Sequence, residues 1–272
     1  MNKKVAILGS NGMLGQMVAD VFTQAEDIDV QLFTRNDFDA AKADVIVLNH
    51  YLGDFDYIIN CIGIINKYID EDDPASVEQA IKVNSIFPRE LQKLGTQTIQ
   101  IATDCSGEPD TYGLSKRLGE VKGENFCNIR CSIIGPGNKD GLLDWFLNQK
   151  ECQGYIHHLW NGVTTLAFAK MCLGLIKSGR DVAVYDQTNF IPSDFECKSN
   201  LIKHIGKYFD HQCVIDKVFN PDAIVDRRLP EYPYCKDLWE MAGYTEQPTI
   251  EYLIKELANY LEGKIWKGKK YL

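Results

Sequence analysis

Val5-Ala6-Ile7-Leu8-Gly9-Ser10-Asn11-Gly12-Met13-Leu14-Gly15-Gln16-Met17-Val18-Ala19-Asp20-Val21-Phe22 joins two different periodicities through a glycine turn. Val5 to Leu8 is a short continuous apolar run. Beyond the turn, Leu14, Met17, Val18, Val21 and Phe22 recur at helical spacing. Strand, glycine turn and helix in that order read as the first unit of a parallel, nucleotide-binding sheet. The glycines stand as Gly9-x-x-Gly12-x-x-Gly15, each with a task. Gly9 permits a tight turn, Gly12 lets a pyrophosphate approach the backbone, and Gly15 allows close helix–strand packing. The helix amino terminus adds free N–H groups and a partial positive charge.

Outward from this unit, strands and helices alternate. Ile28 to Phe33 reads as a second strand, Val45 to Leu48 as a short third and Tyr57 to Cys61 as a fourth. Pro74 to Leu94 reads as a long amphipathic helix, with Pro74 in its first turn and Gly95 as its stop. Thr98 to Ala102 is a strand, Tyr112 to Lys122 a helix, and Asn125 to Cys131 extended again. After Gly135-Pro136-Gly137 the pattern loosens. Leu142 to Leu147 and Thr165 to Ile176 look helical, Val182 to Tyr185 reads as a late strand, and a helix from Ile250 to Leu261 closes the chain. The expected fold is α/β: a doubly wound parallel (Rossmann) sheet with a smaller mixed C-terminal substrate lobe. Residues 1–140 form the nucleotide-binding domain in this reading, with part of 160–190 returning to it. Residues 141–272 are mainly the lobe.

Composition narrows the function classes. A net charge of −9 lacks the basic footprint of a general nucleic-acid binder. No apolar run approaches the roughly 20 residues that span a bilayer. Met1-Asn2-Lys3-Lys4-Val5 leads into a strand and not a signal peptide, so a cytoplasmic protein is expected. Nine cysteines at irregular spacing, with no Cys-x-x-Cys pair, read as reduced thiols. His157-His158 has no second pair at ligand spacing, so no metal site is expected. Asp70-Glu71-Asp72-Asp73 reads as a solvated helix approach.

Cofactor choice turns on the end of the second strand. An acidic residue there bonds the ribose hydroxyls of NADH, and a basic one accommodates the 2′-phosphate of NADPH. Thr34-Arg35 follows Phe33 directly, which favours NADPH, while nearby Asp37 and Asp39 keep NADH open.

Tyr112-Gly113-Leu114-Ser115-Lys116 sets a tyrosine and a lysine four residues apart, on one face of a helix. Hydride addition to a ketone builds charge on oxygen that a proton donor must meet. A free phenol has a pKa of about 10, and a neighbouring ammonium lowers it. Thr103, at the end of Ile101-Ala102-Thr103-Asp104, is placed to bond the same carbonyl. Asn60-Cys61-Ile62-Gly63 and Val83-Asn84-Ser85 lie upstream, at the carboxyl end of a strand and on an adjoining helix, where such folds place ligands.

Taken together, these motifs resemble the extended short-chain dehydrogenase/reductases, and within them the dTDP-4-dehydrorhamnose reductase family. The likeness includes the glycine turn, Val83 to Pro88, Thr103-Asp104, Tyr112 to Lys116 with Gly119-Glu120, and Arg130 to Pro136. Trp160 to Thr165 and Asp226-Arg227-Arg228-Leu229 look like the family's substrate-side segments. The resemblance implies NADPH-dependent (or NADH-dependent) reduction of a nucleotide-linked 4-keto-6-deoxysugar, and a homodimer. In it Thr103, Tyr112 and Lys116 form the catalytic triad. Gly9, Asn11, Gly12, Met13, Leu14, Gly15, Arg35, Cys61, Gly63, Asn84 and Lys116 surround the cofactor. Trp145, Asn161, Thr164 and Arg227 join Thr103 and Tyr112 on the substrate side. Two alternatives stay open: an epimerase or dehydratase with resident NAD, and a dinucleotide-binding regulatory subunit. The chain departs from the family at one place. Only residues 105–111 link Asp104 to Tyr112, where the family has a longer loop that shapes the sugar pocket.

Overall fold

β1 (Lys3–Leu8) is apolar on both faces: Val5 and Ile7 enter one buried cluster, Ala6 and Leu8 another. Alternate residues of a strand point to opposite faces, so a strand covered by helices on both sides must be apolar throughout. The computed structural model describes residues 2–137, 139, 141–220, 236–266 and 268–272. Among them β1 pairs in parallel with β2 (Ile28–Phe33) on one side and β3 (Tyr57–Asn60) on the other. β4 (Gln97–Ala102) and β5 (Phe126–Arg130) continue from β3, and the short strand Thr188–Asn189 lies parallel to β5 at the far edge. The order across the six-stranded sheet is Thr188–Asn189, β5, β4, β3, β1, β2.

α1 (Met13–Thr23) and the helix Thr165–Ser178 cover the face carrying Val5 and Ile7. Met17 and Phe22 are fully buried there, each side chain contributing roughly 1.5–3 kcal/mol of apolar burial. The same cluster takes in Leu201, Ile202 and Ile205 of the helix Lys198–Tyr208 and the inner face of Ile250–Leu261. Leu48, Leu52, Phe87 and Leu91 cover the opposite face. Strand succession reverses at β1, because β2 lies on one side of it and β3 on the other. A crevice therefore opens at the carboxyl ends of β1 and β3. No helix among the described residues is long and apolar enough to cross a membrane.

Four elements differ from their sequence reading. Val45 to Leu48 is not a strand but the start of α2 (Val45–Leu52), whose amino-terminal Asp44 accepts from the N–H groups of Ile46 and Val47, both at 3.0 Å. A four-residue apolar run cannot by itself distinguish strand from helix, and the cap decides it. Val182 to Tyr185 is one turn of 3-10 helix capped by Asp181, and the edge strand comes later at Thr188–Asn189. The helix read from Pro74 to Leu94 is α3 (Pro74–Ile81), a π-helical turn over Lys82–Ile86, and α4 (Phe87–Gln92). Pro88 supplies no N–H to the carbonyl of Asn84 and its ring crowds that carbonyl, so the helix widens one turn earlier. The helix read from Tyr112 to Lys122 is α5 (Thr111–Leu118). It stops where Gly119 meets the carbonyl oxygen of Asn84, 1.8 Å from where a Cβ would stand.

Beyond β5, smaller pairs build the rest of the molecule. Glu151–Tyr155 runs parallel to Val214–Val218, and Leu159–Trp160 runs antiparallel to Glu196–Cys197.

Candidate active site

The glycine turn is built around two close approaches. Gly9 has φ +74°, a left-handed conformation that favours glycine, and its N–H donates to the carbonyl of Phe33 at 3.0 Å. A Cβ on Gly15 would lie 2.2 Å from the carbonyl oxygen of Gly9, so α1 packs against the turn at a distance only glycine permits. Gly12 precedes α1 and has no side chain with which to cap it, and the first turn carries no acidic residue. Its leading N–H groups therefore have neither a capping side chain from Gly12 nor a carboxylate of their own turn beside them, which suits an anion. Gly15→Ala is expected to destabilise the fold by about 3 kcal/mol or more, because backbone must move to admit the methyl. Urea denaturation would show this as a lower midpoint with an unchanged slope.

At the end of β2 the two acidic residues are already engaged. Asp37 Oδ2 accepts from the Thr34 N–H at 2.7 Å and from its hydroxyl at 3.0 Å, closing the turn. Asp39 accepts from the Ala41 N–H at 3.1 Å. Arg35 is exposed beside them.

The loop after β3 brings Cys61 and Gly63 to the crevice. The Cys61 N–H donates to the Leu8 carbonyl at 3.1 Å, and burial pushes its thiol up to about 12, so it stays protonated. Asn84, in the π-helical turn and 2% exposed, clamps this loop from both sides. Its Oδ1 accepts from the Ile64 N–H and its Nδ2 donates to the Ile64 carbonyl, each at 2.9 Å. Nδ2 also donates to the Ser115 hydroxyl at 3.1 Å, tying the loop to α5. The structure thus uses Asn84 as a brace between two site segments.

β4 ends at Ala102, and the short link to α5 is folded tightly. Thr103 is buried and its hydroxyl accepts from the Cys105 N–H at 3.1 Å, starting a 3-10 turn over Asp104–Gly107. Asp110 then caps α5, accepting from the Gly113 N–H at 2.7 Å, and Asn66 holds the other Asp110 oxygen at 2.8 Å. Gly113 lets α5 press onto the turn: a Cβ there would lie 2.5 Å from the Cys105 carbonyl oxygen. Residues 105–111 therefore form a compact structure that presents Tyr112, half-buried, in the first turn of α5.

Lys116 follows one helical turn later on the same face and is 8% exposed. Its Nζ donates to the Ile101 carbonyl at 3.0 Å and lies 3.8 Å from where a Gly63 Cβ would stand. Burial depresses its pKa from 10.5 to about 8, opposed chiefly by the Glu120 carboxylate. Glu120 is itself held by Arg130, with Nε to Oε1 at 3.2 Å. Gly63, Asn84 and Lys116 thus converge from three separate segments, with Thr103 two residues beyond the carbonyl that Lys116 touches.

The substrate-side residues fare differently. Thr164 is buried and its hydroxyl caps the helix Thr165–Ser178, accepting from the Ala167 N–H at 3.2 Å. Asn161 is buried in the turn between Leu159–Trp160 and Val163–Thr164. Trp145 is half-buried on the helix Leu142–Phe146. Arg227 lies outside the described residues. One residue that the sequence reading missed stands out: Lys198, whose Nζ sits 5.4 Å from the Trp145 ring centre and 5.8 Å from that of Tyr155. It is half-buried, and burial holds its pKa below the ordinary lysine value. No motif surrounds Lys198; only folding brings it to Trp145.

No family model matches this sequence, and no curated protein matches it either. Solved structures do share its fold. A dTDP-4-dehydrorhamnose reductase from Bacillus anthracis in complex with NADP superimposes at TM-score 0.75, with 16% identity over 96% of this chain and 100% of that one. The Clostridium acetobutylicum dTDP-4-dehydrorhamnose reductase gives 0.74, with 17% identity over 95% and 99%. A UDP-glucuronic acid 4-epimerase from Bacillus cereus in complex with NAD gives 0.66, with 10% identity over 94% and 98%. The fold shared with these structures is the Rossmann-type α/β fold, a parallel sheet flanked by helices.

Proposed function

We propose that this chain is an NADPH-dependent reductase acting on the 4-keto group of a nucleotide-linked 6-deoxysugar. The observation that carries the reading is the buried Lys116 ammonium, one turn beyond Tyr112, at the carboxyl end of β4 and against Gly63 and Asn84. The likeness in fold to sugar-nucleotide reductases supports the substrate class.

The residues present fit a dinucleotide. Gly9, Gly12 and Gly15 form a tight turn with α1 packed onto the Gly9 carbonyl, and the first turn of α1, including Met13 and Leu14 and without a side-chain cap from Gly12, suits the diphosphate. Asn11, at the tip of the turn, flanks it. Arg35 would take the 2′-phosphate, since Asp37 and Asp39 are occupied within their own loop. Cys61 and Gly63 would line the path to the nicotinamide, and Lys116 would hold its ribose. When bound, the group supplies hydride to the ketone carbon.

The chain's own residues handle the proton. Tyr112 donates from Oη to the substrate oxygen as negative charge develops there. The Lys116 ammonium stabilises the phenolate left behind, and its burial strengthens that attraction. Thr103 holds the carbonyl in position with its hydroxyl. On the sugar-nucleotide side, Lys198 with Trp145 and Tyr155 forms a cationic, aromatic wall suited to a diphosphate and a base. Thr164 is accounted for by its helix cap and is left out of the substrate contacts.

The test is to offer NADPH and NADH in turn with dTDP- and UDP-linked 4-keto-6-deoxyhexoses and follow nicotinamide absorbance. NADPH should be consumed, and Arg35→Ala should raise its KM about 10- to 100-fold, the worth of one charge-assisted hydrogen bond or two, with NADH unaffected. Tight binding of NAD with substrate interconversion but no net oxidation would replace the reductase reading with an epimerase. Cofactor binding with no turnover on any keto-sugar would sink both.

A further inference from the structure

Two thiols to which the proposed reaction assigns no role meet beside the strand that carries Tyr155. Cys152 lies in the strand Glu151–Tyr155, opposite Ile215 of the parallel strand Val214–Val218, and Cys213 immediately precedes that second strand. Their sulfurs are 3.7 Å apart, although the residues are 61 positions apart in the chain. Both are half-buried, whereas Cys105, Cys127, Cys131 and Cys172 are buried in the core.

Cys213 also lines a surface cavity of about 590 Å³ whose other walls include Lys150, Lys203, Lys207 and His211. Lys207 is paired with Glu251 at 2.7 Å, and His211 is anchored by its Nε2 to the Gln149 carbonyl at 2.8 Å. Lys150 and Lys203 are exposed at the rim. The cavity is locally basic on a chain whose net charge is −9. A partly exposed thiol is open to a small reagent, and the exposed lysines at the rim attract an anionic one.

We infer that Cys213 and Cys152 form an oxidisable dithiol, a modification site for an anionic low-molecular-weight disulfide of the glutathione-disulfide kind, closing reversibly into a Cys152–Cys213 disulfide. The Cys213 thiolate attacks one sulfur of the small disulfide. That S–S bond breaks, one small thiolate leaves and takes a proton, and Cys213 carries the other half as a mixed disulfide. Cys152 then releases its proton to water and attacks the Cys213 sulfur, expelling the second small thiolate. Two protein thiols are oxidised, one small disulfide is reduced to two thiols, and no other oxidant is needed. Burial, with a contribution from Cys213, pushes the Cys152 thiol up to about 11, which leaves the first attack to Cys213; Cys152 reacts second because the mixed disulfide holds its target sulfur beside it. Cys152 stands opposite Ile215, so Cys213 is its diagonal neighbour, and closing the sulfurs from 3.7 Å to about 2.05 Å takes backbone movement where the second strand begins as well as χ1 rotation.

The experiment exposes the reduced full-length protein to rising ratios of oxidised to reduced glutathione, alkylates the remaining thiols and maps the digest by mass spectrometry. The expected product is a cross-linked peptide joining Cys152 to Cys213, reversed by reductant, with a thermal midpoint raised by about 5 °C or more, as a loop of this length predicts. Cys152→Ser should stop at a glutathione adduct on Cys213, and Cys213→Ser should leave Cys152 alkylatable. Uncharged bis(2-hydroxyethyl) disulfide should react at least about threefold more slowly, because the basic cavity no longer recruits it. A wild-type protein whose only product is a Cys213 adduct, or whose cross-link joins other cysteines, overturns the dithiol. So does one with both thiols still alkylatable at high oxidised glutathione. Equal rates with the charged and uncharged disulfides overturn the role of the cavity. The wild-type map decides the dithiol even if a serine variant fails to fold, and none of these readouts depends on the reductase reading.

Discussion

Tyr112→Phe is expected to lower kcat by about a thousandfold, within the range that one positioned general acid contributes. The substitution removes Oη and nothing else: the ring remains half-buried in the first turn of α5, and Asp110, which caps that turn, is untouched. Without Oη the carbonyl oxygen must take its proton from a group other than the Tyr112 phenol. Lys116 cannot substitute, because its ammonium is committed towards the Ile101 carbonyl and the Gly63 loop. Cofactor affinity should change by less than about twofold, since an interaction made only in the transition state contributes to kcat and not to ground-state binding. Single-turnover oxidation of NADPH and a fluorescence titration of cofactor separate the two quantities. A variant that turns over at the wild-type rate would mean that the proton comes from another group. Thr103→Val would then test the Thr103 hydroxyl, which accepts from the Cys105 N–H and donates to Asp104 Oδ1 at 3.4 Å.

The parts of this molecule that were legible in the sequence are those whose reason is local. A glycine that must adopt φ +74°, or must lie within 2.2 Å of a carbonyl where its Cβ would stand, leaves a mark that no neighbour can supply, so the turn at Gly9 to Gly15 was readable. So was the i, i+4 relation of Tyr112 to Lys116, because a helix enforces it. The short apolar segments at Val45 and Val182 were misread because each is too brief to show a period, and an aspartate cap settles each one. The π-helical turn at Asn84 arises from Pro88 together with the approach of Gly119 some thirty residues on, a tertiary contact that no window of sequence contains. Lys198 was missed for the same reason: its partner rings come from other elements. The brevity of residues 105–111 looked in the sequence like a missing piece. In the structure the segment is a capped 3-10 turn that delivers Tyr112 directly to α5.

Lys116→Met should abolish turnover and at the same time make the protein more stable at neutral pH, a combination that distinguishes a functional lysine from a structural one. Burial lowers the Lys116 pKa from 10.5 to about 8. At 1.36 kcal/mol per unit this amounts to roughly 3 kcal/mol working against folding while the group is charged in both states. The unfolded chain keeps its proton up to about 10.5, and the folded one sheds it from about 8. The penalty is therefore fully present below pH 8 and fades as pH rises from 8 to 10.5, where folding releases the proton. Methionine keeps the length and apolar stem and removes the charge, at the loss of the hydrogen bond to the Ile101 carbonyl, worth about 1 kcal/mol. The net gain at pH 7 is roughly 1–3 kcal/mol, or about 3–9 °C in thermal midpoint. The advantage over wild type should shrink steadily between pH 8 and 10.5, whereas wild-type activity should fall earlier, with a midpoint near pH 8, because activity follows the ammonium of the folded enzyme alone. A variant that is inactive and less stable, with a stability gap that does not move with pH, would refute the strained ammonium. Lys116 would then be a packing residue, and the acid–base pair proposed for this site would lose its second member.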